Sequence, residues 1–173
     1  MSRLARFFWI CAASATLCFV ALLVLSKGSL EPQGLVVFDS HLMGYDLAFA
    51  PAYLAAMTEA QIAQYLGVFR ILDTIFPGLL AISLAGALWL NAKGLHPFVR
   101  FLLLFAPAIY LMMDLAENAS VAQMLRAGVT VQREIVEQAS AFSVAKWAAL
   151  SGTVLLTLWA WWRAPRTPTR RPG

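Results

Sequence analysis

Charge is what this chain has little of. Of its 173 residues only 13% are Asp, Glu, Lys or Arg, against about a quarter in a soluble domain. So few charges cannot cover a water-facing surface. Hydrophobic residues reach 61%, which excludes intrinsic disorder, a state of low hydrophobicity and high charge. Cysteine is scarce as well. Cys11 and Cys18 cannot build a disulfide scaffold, and they read as apolar packing thiols. His41 and His96 are the two histidines, and they fall at opposite ends of the layout derived below, so they cannot share a metal or a haem. Phosphate loops, zinc signatures and dinucleotide fingerprints do not occur, so no cofactor and no metal are expected. Strand-period alternation is missing too, which removes a β-barrel. What remains is an all-α integral membrane protein.

A lipid-spanning helix needs about 20 apolar residues, since the hydrocarbon is about 30 Å thick and the helix rises about 1.5 Å per residue. Four windows qualify: Phe7–Leu25, Leu66–Leu90, Phe98–Asn118 and Ala141–Trp162. The first follows a basic start, Arg3 and Arg6, but it is long for a signal core and no Ala-x-Ala site closes it. It reads as a retained anchor. Several helices are expected to outrun the bilayer. Thr58 and Gln61 resemble a capping box that would start a helix at Glu59. Gly128 would stop one begun at Phe98, and the last would run from about Val131 to Trp162. The links at 91–97 and 127–130 are short, which implies antiparallel neighbours. Residues 26–57 are too polar to span, and Gly28, Pro32, Gly34, Gly44 and Pro51 break them up. They read as an outer, periplasmic or extracellular, cap between the first and second spans, with a short helix within Asp46–Met57. The expectation is therefore a single domain over 1–162, a four-transmembrane-helix antiparallel bundle. A disordered basic cytoplasmic tail would follow at 163–173.

Orientation follows from Lys and Arg. With both termini on one side, that side receives eight: Arg3, Arg6, Lys93, Arg100, Arg163, Arg166, Arg170 and Arg171. The other receives five, Lys27, Arg70, Arg126, Arg133 and Lys146, and the acidic residues fall toward it as well. Both termini are then cytoplasmic in a plasma (inner) membrane. Trp89, Trp159, Trp161 and Trp162 sit at the inner interface. The net charge of +4 is this bias and not a nucleic-acid footprint, so the expected partners are membrane lipids, a partner membrane subunit or further copies of the chain.

Depth is the most informative reading. Asp73, Asp114 and Lys146 lie 16 or 17 residues from the inner ends of their spans, or roughly 24–26 Å. Three charges on three helices share one level in the outer leaflet. Arg70, Glu117, Asn118 and Ser143 lie one turn further out. Helical spacing puts Arg70 beside Asp73, and it lines Tyr110, Asp114 and Glu117 or Asn118 along one face. Pro77 lacks an N–H, so the carbonyl of Asp73 is expected to be a free acceptor at this level. Charges in hydrocarbon cost about 3 kcal/mol each, so they should face inward and pair. The expected constellation is Arg70, Asp73, Asp114, Glu117 and Lys146, with a formal sum of −1. Two readings stand side by side. In one, ion pairs hold the helices in register. In the other, the cluster binds a polar lipid headgroup, a cation or a proton. Ser143 and Lys146 also have the residue types of a Ser–Lys nucleophile pair.

The runs Leu72–Pro77, Asp114–Asn118 and Phe142–Trp147 resemble the pattern of small bacterial four-span membrane proteins. A four-helix sterol-isomerase-type fold is similar in grouping acids between helices, but here the first span carries no acid. The function expected first is a non-enzymatic accessory or amphiphile-binding module. The alternatives are a lipid-acting isomerase or hydrolase using the buried acids, and an oligomeric proton- or ion-coupled carrier.

Overall fold

The computed structural model describes residues 2–164. Helix makes up 85% of them, with no strand among them. Seven α-helices follow in order: α1 Arg3–Leu25, α2 Phe49–Ala56, α3 Glu59–Gln64, α4 Arg70–Asn91, α5 Pro97–Leu103, α6 Phe105–Ala127 and α7 Arg133–Arg163. All but α2 combine into four rods long and apolar enough to cross a membrane, at Arg3–Leu30, Glu59–Asn91, Pro97–Thr130 and Arg133–Arg163. Their outer faces stay apolar: Ile10, Leu17, Val24, Met112 and Leu155 are all exposed. The tail expected at 163–173 lies outside the described residues from position 165 on.

Local chemistry sets each end. The Ser2 side chain accepts the N–H of Ala5 and starts α1. Thr58 and Gln61 cap each other's backbone N–H groups, and the helix starts at Glu59 as expected. That rod is not uniform. A π-helical turn at Tyr65–Phe69 joins α3 to α4, with Gly67 pulled out of helical geometry at ψ −108°. The third rod breaks too, at Leu104 between α5 and α6. Pro107 explains it, because it offers no N–H to the Leu103 carbonyl four residues back. His96 caps α5 through its ring nitrogen, ahead of Pro97. Nearby, the Arg100 guanidinium stacks 3.9 Å above the Trp89 ring.

The packing is uneven, and that matters for the site. α1 lies along α4, and α6 along α7, while α4 also meets α6 and α7. The contact of α1 with α4 is close because Gly86 has no side chain there. A Cβ on it would enter the Phe8 ring. By contrast, α1 does not pack closely on α6 or α7.

The segment between α1 and α3 is the best-packed part of the chain. Phe38 and Tyr53 are fully buried, with ring centroids 4.8 Å apart. Leu30, Val37 and Leu54 join them in one apolar cluster with Val121, Met124 and Leu125 of α6 and Val136 and Ala139 of α7. The short helix expected within 46–57 is α2, begun by the Asp46 carboxylate accepting the N–H groups of Ala48 and Phe49. Two serines of α7 fasten the segment. Ser140 exchanges hydrogen bonds with both backbone groups of Tyr45, at 2.9 and 2.8 Å. Ser143 donates to the carbonyl of His41 at 2.9 Å. Gly44 lets the chain come this close: its φ is +76°, and a Cβ there would strike the Ser140 hydroxyl.

Candidate functional site

Lys146 is the centre of the buried polar region. Its position on α7 follows from helical phase, since Ser143 and Lys146 share the face that turns inward. Both are buried. The ammonium meets three carboxylates from two directions. Glu117 of α6 lies at 2.5 Å and Asp114, one turn away on the same helix, at 3.6 Å. The third is Asp39, at 3.0 Å. It comes from the segment between α1 and α2 and is held on its other oxygen by the Tyr65 hydroxyl, at 3.0 Å.

Asp39 is the residue that spacing arguments miss. It sits in an irregular stretch without period, 107 positions from Lys146. No helical register connects the two. The available signal was weak: an acid beside an aromatic residue, Phe38, in a segment rich in apolar side chains. Burying Phe38 carries its neighbour Asp39 down to the ammonium.

Asn118 ties α4 to α6. Its amide donates to the backbone carbonyl of Asp73 at 2.9 Å and to the Asp114 carboxylate at 3.2 Å. The carbonyl is the one that Pro77 leaves without a helical donor. It is therefore not a free acceptor, as the sequence implies, but a taken one. Replacing Asn118 with Leu strands a buried carbonyl and one side of Asp114. The expected loss is about 1–3 kcal/mol of stability, read as a lower midpoint of thermal unfolding in detergent. An unchanged midpoint would show that this bond carries no weight.

Two expectations need correction. Arg70 does not join the carboxylates. It is half-buried and forms no ion pair among the described residues. A long apolar stem lets an arginine line such a region while its guanidinium stays hydrated, and the π turn just before it changes the helix phase. The Ser143–Lys146 pair is not a nucleophile arrangement either. The serine hydroxyl donates to His41, and the ammonium is taken by carboxylates. Tyr110 is buried beside the cluster. The histidines lie apart, one in the segment between α1 and α2 and one at the start of α5. Burial holds the His41 imidazole below its ordinary pKa, so it is neutral at pH 7. No group of three or more metal-ligating side chains gathers among the described residues.

Charge accounting changes accordingly. Arg70 leaves the group and Asp39 enters. Asp39, Asp73, Asp114 and Glu117 then face a single ammonium, so full ionisation would leave three negative charges uncompensated.

The cluster closes one end of a cavity of about 610 Å³. Asp39, Asp73, Asp114 and Lys146 line that end, with Tyr110 and Trp147. The remaining walls are almost entirely apolar: Ala12, Ala15 and Phe19 from α1, Phe76 and Leu80 from α4, Leu150 from α7. The cavity has this shape because α1 leans on α4 alone. Nothing fills the space between α1 and α7 where their side chains face each other across it.

This chain matches no protein-family model, no curated protein and no solved structure.

Proposed function

We propose that this chain is a non-enzymatic, amphiphile-binding module of the plasma (inner) membrane. Both termini face the cytoplasm, the four rods form an antiparallel bundle, and the segment 26–57 caps its outer end. The lysine and arginine asymmetry supports this orientation. The exposed apolar faces of the rods support a lipid surround.

One observation carries the functional reading: a single cavity joins apolar walls to a charged end. Its volume lies inside the range of about 300–1,000 Å³ typical of small-molecule sites. An amphiphile satisfies both parts at once. Its chain covers Phe19, Phe76, Leu80 and Leu150, and its head meets the charged end. A molecule polar throughout would leave the walls unfilled, and one apolar throughout would leave the charged end desolvated without a partner.

Native mass spectrometry of protein taken directly from membranes tests this. One lipid-sized adduct per chain is expected. Thr16 lines the cavity from an exposed position on α1, so Thr16→Trp fills the space without disturbing the core. That variant should fold and lose the adduct. Release of the bare chain in both cases would refute the proposal.

A further inference from the structure

The acids of the cluster are not equivalent, and the difference specifies the occupant. Asp39, Asp114 and Glu117 all contact Lys146. The Asp114 carboxylate also accepts from Asn118, and the Asp39 carboxylate from Tyr65. The single ammonium is thus shared among three carboxylates. Asp73 is the exception. It is 7% exposed, lines the cavity, and its carboxylate has neither an ion pair nor a hydrogen bond among the described residues. Only its backbone carbonyl is engaged, by Asn118. The position is built: the Asn118 contact, made possible by Pro77, fixes the backbone of Asp73, and Phe69 and Phe76 flank the cavity on the same helix. Held ionised without a direct partner, a buried carboxylate is costly, and the cost is relieved either by taking up a proton or by pairing with a cation. Aromatic side chains next to it add attraction for a cation.

We infer that the occupant is an amphiphile with a cationic amine head, and that Asp73 is the group that pairs with it. The inference rests on the amphiphile-binding reading above and adds the sign of the head. Its path follows from the packing. Because α1 and α7 do not close on each other, the tail lies between Thr16, Phe19 and Leu23 on one side and Trp147 and Leu150 on the other. The ligand therefore enters sideways from the bilayer, head first toward Asp73. Leu80 lies seven positions along α4 from Asp73, so the tail has roughly 10 Å of apolar wall beneath the head on that helix.

The head-group series is the test, with the full chain in nanodiscs of zwitterionic lipid. Radiolabelled dodecylamine, dodecanol and dodecyl phosphate share one tail and differ only in head charge. Each is measured for retention above empty nanodiscs. The expected result is that the amine binds about 10- to 100-fold more tightly than the alcohol, the range that a buried charge-assisted hydrogen bond supplies, and that the phosphate binds more weakly still. Asp73→Asn should reduce the amine to the level of the alcohol. Equal retention of all three by the wild-type chain would overturn the cationic head, as would preference for the phosphate, and would leave amphiphile binding standing. Retention of none would overturn the amphiphile reading itself. The wild-type series decides the question even if the variant fails to fold.

Discussion

Replacing Lys146 with Met should cost about 3–5 kcal/mol. The reason is asymmetry. Lys146 is one cation serving Asp39, Asp114 and Glu117. Its removal leaves three carboxylates, the buried Asp114 and Glu117 on one helix and the partly buried Asp39, without the ammonium that compensates them. Methionine keeps much of the shape of the lysine stem, so packing is nearly preserved and the loss reports charge. Thermal unfolding in detergent should show a large drop, or the protein should fail to accumulate in membranes. Asp73→Asn should behave differently. Asp73 makes no ion pair among the described residues, so its neutral analogue removes an uncompensated charge and should leave stability unchanged or raised. Equal destabilisation by the two variants would contradict the division of labour between them.

Phe38→Ala should cost a similar amount. Phe38 is fully buried and packs against Tyr45, Phe49 and Tyr53, with centroids 5.1, 5.6 and 4.8 Å away. Truncating such a ring removes its transfer free energy and leaves a cavity, together about 3–5 kcal/mol. The effect should not remain local. Phe38 positions Asp39, which reaches Lys146 from outside the four rods. Loosening this anchor should therefore weaken an ion pair it does not touch. Hydrogen exchange is the measurement. Faster exchange is expected over residues 35–45 and also around Lys146 on α7. Faster exchange in the capping segment alone would show that the two are energetically separate.

The fold was legible in the sequence to the extent that it depends on periodic or contiguous patterns. Four apolar runs announce four rods, and Thr58 with Gln61 marks a helix start correctly. Depth along a helix is a simple count, and so Asp114 and Lys146 are found together at 3.6 Å. The shortfalls share a physical cause. Asp39 is brought to the site by the tertiary packing of an irregular segment, and no periodicity encodes that. Arg70 was placed by spacing alone, which ignores both the π turn before it and the reach of its side chain. Pro107 breaks the third rod at Leu104, although the run of apolar residues continues through it. The cavity itself is the hardest feature to foresee. It arises from what α1 does not touch, and a missing contact leaves no trace in composition.

Lys146 and Glu117 compensate each other between α6 and α7, and a double-mutant cycle tests this most directly. Thermal stability is measured for the wild type, Lys146→Met, Glu117→Gln and the double variant. Direct contact at 2.5 Å predicts that Glu117→Gln restores part of what Lys146→Met removes, with a coupling of about 0.5–3 kcal/mol. Additivity to within about 0.3–0.5 kcal/mol, as for distant and independent sites, would show that the two charges do not meet.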